Sequence, residues 1–210
     1  MTSLARTERA ALCDLALELG PDAPTLSGEW TVKDLVVHLL VRESSPSAVG
    51  IVVPALSRLT AWESALRSRR DLPDLVEQLR EGPPRWSPMR LAAVDRATNT
   101  LEFFVHHEDI RRAQPGWEPR ALDARSQDAL WRAIRVAGRG LVRSAAVGVT
   151  LERSDSGERA VLKSTEPTVV VRGRPSELVL FVYGRQPQAR VELDGAAADV
   201  AALTGADLGV

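Results

Sequence analysis

The chain has 210 residues, of which 44% are hydrophobic and 26% are charged. This balance is typical of a globular protein and excludes a disordered or collagen-like chain. The formal net charge of −1 argues against a protein that coats nucleic acid or an anionic membrane surface. One cysteine, Cys13, allows neither an intrachain disulfide nor a cysteine-rich zinc site. Because its neighbours are apolar, we expect a small buried side chain rather than a nucleophile.

Several other classes of protein are excluded by missing patterns. No uncharged apolar run reaches the 18 residues of a membrane-spanning helix, and the charged residues 1–9 lack the apolar core of a signal peptide. The phosphate-binding glycine loops and the serine-hydrolase elbow are absent from the sequence. We therefore expect a cytoplasmic protein with no nucleic-acid or membrane partner.

The first part of the chain has the apolar periodicity of helices separated by turns. Thr31 and Asp34 form a capping-box pattern at the start of the second helix. The predicted helices cover residues 3–19, a segment from 31 to about 44, and residues 53–70, 73–80, 91–113 and 123–146. The sequence thus predicts a helical domain over residues 1–146.

After residue 146 the period of the apolar residues changes from helical to alternating. Predicted strands cover residues 147–153, 158–164, 168–172 and 189–193, and predicted helices cover 176–183 and 196–203. The fold class is therefore α+β, with a small α/β domain over residues 147–210. A segment this short buries only about 60% of its unfolded surface, so we expect it to depend on the helical domain for stability.

The chain has three histidines, and two of them have neighbours that suggest a metal site. Glu102 and His106 are four residues apart on one predicted helix, which places both on the same face. His38 lies on the second helix, four residues after Asp34. Two imidazoles and one carboxylate would leave coordination positions open for water, substrate or a thiolate. Such open positions are what a catalytic metal needs.

Simpler explanations of the same residues stay open at this point. A Glu–His pair at this spacing is often a solvated hydrogen-bonded pair, and His38 on an apolar helix face would be a satisfied core histidine. His107 is about 100° around the helix from His106, so we interpret it as a structural or surface residue. Glu108 and Asp109, followed by two arginines, predict an exposed charge cluster that contributes little to stability.

Two stretches together resemble a known family. Residues 28–39, Gly-Glu-Trp-Thr-Val-Lys-Asp-Leu-Val-Val-His-Leu, resemble the W-T-x-x-D-L-x-x-H-L signature of the DinB-like metal-binding superfamily, in the actinobacterial branch related to mycothiol-dependent maleylpyruvate isomerase. Residues 102–109, Glu-Phe-Phe-Val-His-His-Glu-Asp, resemble the E-x-x-x-H-x-x-D segment of the same family. The resemblance covers nearly the whole chain. It implies a DinB-like bundle with a four-helix core, followed by a sterol-carrier-like α/β domain.

The resemblance also implies a site and a chemistry. His38, Glu102 and His106 would bind a divalent metal, most often zinc, although nickel, iron and manganese accept the same ligand types. The thiol mycothiol would work at this metal as co-substrate. Arg185 is our candidate for the C-terminal arginine that matters in the isomerase. Ser27 stands where relatives often carry a cysteine, so any role of that cysteine is lost in this chain.

Two functions follow from the resemblance. The first is a metal-dependent isomerase or S-transferase that joins a small-molecule thiol to an electrophilic substrate. The alternative is a non-catalytic protein that uses the same bundle to bind or sequester a metal or ligand. We expect a monomer or a homodimer in either case.

Overall fold

The computed structural model describes residues 3–44, 67–83 and 92–209. It divides into two compact units, Met1–Glu118 and Pro119–Val210. The predicted helix over residues 53–70 falls almost wholly outside the described residues. None of the helices within the described ranges is long and apolar enough to cross a membrane.

The N-terminal unit is helical in its described parts. Its helices are α1 (Leu4–Leu19), α2 (Val32–Ser44), α3 (Leu72–Glu81) and α4 (Ala92–Arg112). Helix α1 packs against α3 and α4, and α2 packs against α3. Each helix agrees with its predicted range to within about two residues. Turn residues such as Gly20 and Gly82, which follow α1 and α3, make such ends predictable.

The capping box predicted for α2 is present. The Thr31 backbone N–H donates to Asp34 Oδ2 at 3.0 Å, and the Asp34 backbone N–H donates to Thr31 Oγ1 at 3.3 Å. These reciprocal bonds satisfy two of the donors that a helix start leaves without partners. They begin α2 so that His38 lies about two turns into the helix.

The core of this unit is formed by apolar side chains of all four helices. Cys13 is fully buried among them, as predicted, and its thiol contacts the Val76 carbonyl at 3.8 Å. Burial at this scale is the main favourable term in folding. The largest fully buried aliphatic and aromatic members are Leu12, Leu35, Leu39, Leu75, Leu79, Phe103 and Ile110.

The C-terminal unit combines a mixed sheet with helices. In chain order its elements are α5 (Ala124–Leu141), β1 (Gly148–Arg153), β2 (Arg159–Lys163), β3 (Thr168–Gly173), α6 (Pro175–Val182), a 3-10 turn (Gln186–Gln188), β4 (Glu192–Asp194) and α7 (Ala197–Thr204). The strand order is β2-β1-β3-β4. Strands β1 and β3 are parallel, with Val149 opposite Val169, and the two outer pairs are antiparallel.

Two predicted elements in this unit are shorter than expected. Helix α5 ends at Leu141 rather than near residue 146, because glycines at 138 and 140 weaken its last turn and the chain then turns towards β1. Strand β4 covers three residues instead of 189–193. The backbone N–H of Ala189 donates to the Arg185 carbonyl and that of Arg190 donates to the Glu177 carboxylate, so neither is available to pair with β3.

Helix α5 lies in the same compact unit as the sheet, residues 119–210. Its buried residues Leu130, Trp131 and Ile134 are on the helix face that is inside the unit, and the helix packs against α6 and β2. The prediction from periodicity ended the helical domain at residue 146, whereas contacts divide the chain between residues 118 and 119. Periodicity reports that a segment is helical but not which core covers its apolar face.

Candidate metal centre

Two helices of the N-terminal unit bring three predicted ligands together. His38 lies on α2, and Glu102 and His106 lie on α4. One potential ligand atom of each residue lies within 4.8 Å of the other two. The two imidazole rings meet edge to face, with centroids 5.4 Å apart and an angle of 73° between their planes. His38 is therefore a partner of this cluster and not an isolated core histidine.

The helical spacing of Glu102 and His106 has the expected effect. His106 Nε2 lies 3.6 Å from Glu102 Oε2, one turn away on the same face. The side chains are 11% and 19% exposed respectively, so the pair is largely shielded from water. A carboxylate and an imidazole this close can bind the same metal ion as adjacent ligands.

Asp109 fixes the orientation of His106. Its Oδ2 lies 3.0 Å from His106 Nδ1, and its side chain is completely buried. The same oxygen accepts a hydrogen bond from Ser27 Oγ at 2.9 Å, and the Asp109 carbonyl accepts from the Leu26 backbone N–H at 3.1 Å. A carboxylate on one imidazole nitrogen sets the tautomer and leaves the other nitrogen for a metal. Here that nitrogen is Nε2, which faces Glu102.

A chain of charged and polar groups supports Glu102 from its other side. Arg42 Nε lies 3.4 Å from Glu102 Oε2, and Arg42 also donates to Asn99 Oδ1 at 2.5 Å. Asn99 donates in turn to Glu43 Oε1 at 2.9 Å, and Glu43 pairs with Arg9. A buried polar group is costly unless it has a hydrogen-bond partner, and these contacts supply partners for Glu102, Asn99 and Glu43. The contact with Arg42 restricts the side-chain rotamers of Glu102.

The electrostatic environment prepares two of the three residues to act as ligands. Burial, together with the nearby His106, lowers the pKa of His38 to about 4, so its imidazole is neutral near pH 7. Burial alone would raise the pKa of Glu102. The hydrogen bond with His106 and the charge of Arg42 outweigh that effect and lower the pKa to about 2. Neutral imidazole and ionised carboxylate are the forms that bind metals.

The pKa of His106 is shifted in the opposite direction to that of His38. Its burial opposes the charged form, but the hydrogen bonds with Asp109 and Glu102 outweigh burial and raise its pKa above the ordinary value. The two carboxylates thus compensate a positive charge at this position. A divalent cation at Nε2 would replace the proton on that nitrogen, beside Glu102, while Nδ1 keeps its proton towards Asp109.

The donor set fits a divalent cation. Ligand atoms that share an ion at about 2.1 Å lie roughly 3 to 3.5 Å apart, and the three atoms here are within 4.8 Å of one another. Two imidazoles and one carboxylate are ligand types for zinc and for several other first-row metals. Three protein ligands also leave room for a small molecule in the coordination sphere.

Trp30 forms a partly exposed aromatic surface next to the cluster. Its ring centroid lies 5.0 Å from that of His38, at an interplanar angle of 45°, and the residue is 40% exposed. Its backbone carbonyl accepts from Thr25 Oγ1 at 2.9 Å, and the same hydroxyl accepts from the Ser27 backbone N–H at 3.1 Å. The loop before α2 therefore places both Trp30 and Ser27 at the site.

Sequence reasoning missed the contribution of Ser27 and Asp109. The spacing E-x-x-x-H-x-x-D contained the signal, because Asp109 follows His106 by three residues and must lie near it on a helix. Glu108 and Asp109 were predicted to be exposed, and that prediction is wrong. Both are buried, at 1% and 0% exposure, and Glu108 Oε2 accepts from Arg112 Nε at 2.5 Å.

The third histidine is structural. His107 is buried, and its Nδ1 lies 2.7 Å from Glu8 Oε2 on α1. It therefore ties α4 to α1, which agrees with one of the two predicted roles. Helix α4 carries polar groups into the interior on several faces, which explains why exposure could not be inferred from their charge alone.

Arg185 lies in the C-terminal unit, just after α6. Its guanidinium donates to the backbone carbonyl of Tyr183, and the side chain is partly exposed. The structure describes this local environment, and the catalytic role of Arg185 stays a prediction.

Comparison with known proteins gives a fold-level relationship. No protein-family model and no curated protein matches the chain. A crystal structure of a histidine-to-alanine mutant of mycothiol-dependent maleylpyruvate isomerase is similar, with a TM-score of 0.61 and 16% sequence identity over 91% of this chain and 90% of that chain. A second crystal structure of that isomerase has a TM-score of 0.56 with the same identity and coverage. The predicted α+β class and the resemblance to this fold are confirmed.

Proposed function

We propose that this protein is a divalent-metal-dependent thiol isomerase or S-transferase that uses mycothiol and acts on a small electrophilic substrate. The observation that carries the proposal is the convergence of His38, Glu102 and His106, whose ligand atoms lie within 4.8 Å of one another. The fold shared with mycothiol-dependent maleylpyruvate isomerase supports the choice of reaction. Zinc is the metal that we expect first, since it accepts this ligand set with open positions.

The roles of the protein groups follow from their contacts. His38 and His106 supply imidazole nitrogens, and Glu102 supplies a carboxylate oxygen. Asp109 holds His106 by its other ring nitrogen at 3.0 Å, and Arg42 holds Glu102 at 3.4 Å. A bound divalent cation acts as a Lewis acid and lowers the pKa of a thiol or water near it.

The nucleophilic sulfur has to come from a small molecule. Cys13 is fully buried in the core, and burial raises its pKa to about 11, so it is neither accessible nor ionised near pH 7. In an isomerisation, the thiolate of mycothiol adds to one carbon of an activated double bond. The resulting single bond rotates, and the thiolate leaves with the electron pair of the carbon–sulfur bond. In a transfer, the carbon–sulfur bond stays and a leaving group departs instead.

Metal analysis of the purified protein tests the site. We expect close to one equivalent of a divalent metal in the wild-type protein and less than about a tenth in His106→Ala, because two remaining ligands bind a metal weakly. His107→Gln is the matched control, since it also removes a histidine from α4 but not from the cluster. Both variants should be checked for folding by circular dichroism. Equal metal content in all three proteins would rule out the site.

Turnover tests the reaction separately from the site. The metal-loaded protein is mixed with mycothiol and either maleylpyruvate or a bimane electrophile, and isomerisation or thioether formation is followed by absorbance or fluorescence. We expect turnover that His106→Ala abolishes. A protein that binds metal but converts no member of a broad panel of electrophiles would be the non-catalytic binding or sequestration protein instead.

A further inference from the structure

A second feature of the molecule lies in the C-terminal unit. Residues at the turn from β3 into α6 line an open cavity of about 570 Å³. A volume in this range suits a small organic molecule. The charged residues of the cavity wall are Arg120, Arg172, Arg174, Arg190, Glu177 and Glu192.

The cavity wall carries an excess of positive charge. Four arginines and two glutamates give it a formal charge of +2, and guanidinium groups stay protonated at any physiological pH. Glu152 lies behind Arg172 and accepts from its Nε at 2.7 Å. The same carboxylate also pairs with Arg159 at 2.5 Å, so it offsets only one of those two positive charges. The net charge of the region remains positive.

Glu177, the most buried acidic residue of the cavity wall, already accepts a hydrogen bond from the protein. Glu177 is 6% exposed, and its Oε2 accepts from the Arg190 backbone N–H at 2.9 Å. Next to it, Gln127 Oε1 accepts from the Ser176 backbone N–H at 2.9 Å and Gln127 Nε2 donates to Ser176 Oγ at 3.2 Å. These bonds join α5, α6 and the segment before β4, so the wall is held in place before any ligand binds.

Arg174 supplies a cation that none of the described residues neutralises. It is exposed and precedes Pro175 at the start of α6, where its side chain makes no capping bond. Within the described ranges of the chain its guanidinium has no hydrogen-bond or ion-pair partner. All five of its N–H donors are therefore available to a ligand.

We propose that this cavity binds a small organic dianion, either a dicarboxylate or a phosphate monoester. Guanidinium groups recognise both in the same way, through paired N–H···O bonds. The formal charge of +2 on the wall matches two negative charges. Pro119, Ala121 and Val191, which also line the cavity, provide apolar surface for the organic part of such a ligand. The site is separate in sequence and in chemistry from the proposed metal centre.

Titration of the full-length protein with small anions tests this proposal. The probes are succinate as a dicarboxylate, phenyl phosphate as a phosphate monoester, and acetate as a monoanion, with amide NMR shifts as the readout. We expect saturable shifts at Gly173 and Ser176 with at least one dianion, and binding at least about tenfold weaker for acetate. Raising the salt concentration from 20 mM to about 300 mM should weaken the binding. The two dianions distinguish a carboxylate site from a phosphate site.

A charge-matched pair of variants makes the test specific. Arg174→Ala should weaken binding of the preferred dianion about tenfold, since it removes a charge-assisted contact, and Arg174→Glu should abolish it. Arg132→Ala removes the same charge from an exposed position on α5 outside the cavity, and should change the Kd less than about twofold. Because Arg174 is exposed and has no partner among the residues that the structure describes, its replacement should leave the melting temperature unchanged. Equal effects of Arg174→Ala and Arg132→Ala, or no saturable shift up to about 20 mM dianion, would overturn the proposal.

Discussion

At the scale of single residues, the geometry of the candidate metal centre depends on a buried acid that is not itself one of the three ligands. Asp109 accepts from Ser27 Oγ at 2.9 Å and contacts His106 Nδ1 at 3.0 Å. It holds the imidazole so that Nε2 is directed towards Glu102. Ser27 has a defined role at this position, because its hydroxyl donates to the Asp109 carboxylate and a hydroxyl is a better hydrogen-bond donor than a thiol.

We therefore expect Asp109→Asn to weaken divalent-metal binding about 10- to 100-fold, the range found when a partner of a metal-bound histidine is removed. Ser27→Ala should have a smaller effect in the same direction, since the carboxylate remains. Competition against a chromophoric chelator measures both affinities. Asp22→Asn, a change of the same kind at an exposed position, is the control. If it lowers metal affinity as much as Asp109→Asn, Asp109 does not position His106.

Cys13 leads to a prediction about pH. Burial raises its pKa from 9.0 to about 11 in the folded chain. Below pH 9 both the folded and the unfolded chain keep the thiol proton, so Cys13 adds no pH dependence there. Between pH 9 and 11 the unfolded chain releases the proton first, so the free energy of unfolding falls as pH rises, by roughly 2 to 3 kcal/mol at 1.36 kcal/mol per pKa unit.

Urea unfolding of the wild type and Cys13→Ala at pH 8 and pH 11 measures this contribution. The variant starts from a lower stability, because the substitution leaves a cavity, but it should lose less stability over the same pH interval. Other groups titrate equally in both proteins and cancel in the comparison. If the wild type and Cys13→Ala lose equal stability between pH 8 and pH 11, the thiol ionises as easily in the folded protein as in the unfolded chain.

At the scale of elements, two glycine positions of the C-terminal unit differ in whether they have room for a side chain. A Cβ at Gly148, the first residue of β1, would lie 1.9 Å from the Thr165 backbone oxygen and 2.5 Å from Thr168 Oγ1. A backbone atom cannot move aside as a flexible side chain can, so this position requires glycine. A Cβ at Gly140, in the last turn of α5, meets nothing within 4 Å.

Gly148→Ala should therefore destabilise the protein by about 3 kcal/mol, at the upper end of the cost of overpacking. Gly140→Ala should stabilise it by about 0.5 kcal/mol, because alanine has the higher helix propensity and a less flexible unfolded state. Chemical denaturation of both variants tests the pair. A Gly148→Ala protein as stable as the wild type would mean that the start of β1 can shift away from residue 165.

At the scale of the whole molecule, the division into two compact units implies where the chain can be cut. The residues Leu130, Trp131 and Ile134 of α5 are buried within the C-terminal unit, and α5 packs against α6 and β2. A fragment that begins at residue 147 would expose the apolar surface that this helix covers. A fragment of residues 119–210 keeps it covered.

We expect the fragment 119–210 to show dispersed amide NMR signals and a cooperative urea transition. The fragment 147–210 should show neither, since it lacks the helix that completes its core. Equal folding of the two fragments would place the functional boundary near residue 146, as the periodicity of the sequence suggested. The comparison therefore decides between the two boundaries directly.

The sequence alone determined those features that depend on near neighbours along the chain. The start of α2 follows from Thr31 and Asp34, and the ends of the strands follow from turn residues a few positions away. The contact between Glu102 and His106 follows from the helical repeat. The hypothesis of a two-histidine, one-carboxylate site was also available from sequence, through the resemblance of two short stretches to a known family.

Only the tertiary structure decided which distant residues meet and which charges are buried. It placed His38 beside His106, brought Ser27 to Asp109 across more than 80 positions of the chain, and enclosed Glu108 in the interior. It also packed α5 against α6 and β2. The physical reason is the range of the interactions. Capping and helical periodicity act over about one turn, whereas burial, pKa shifts and the choice of core depend on side chains that the chain brings together only when it folds.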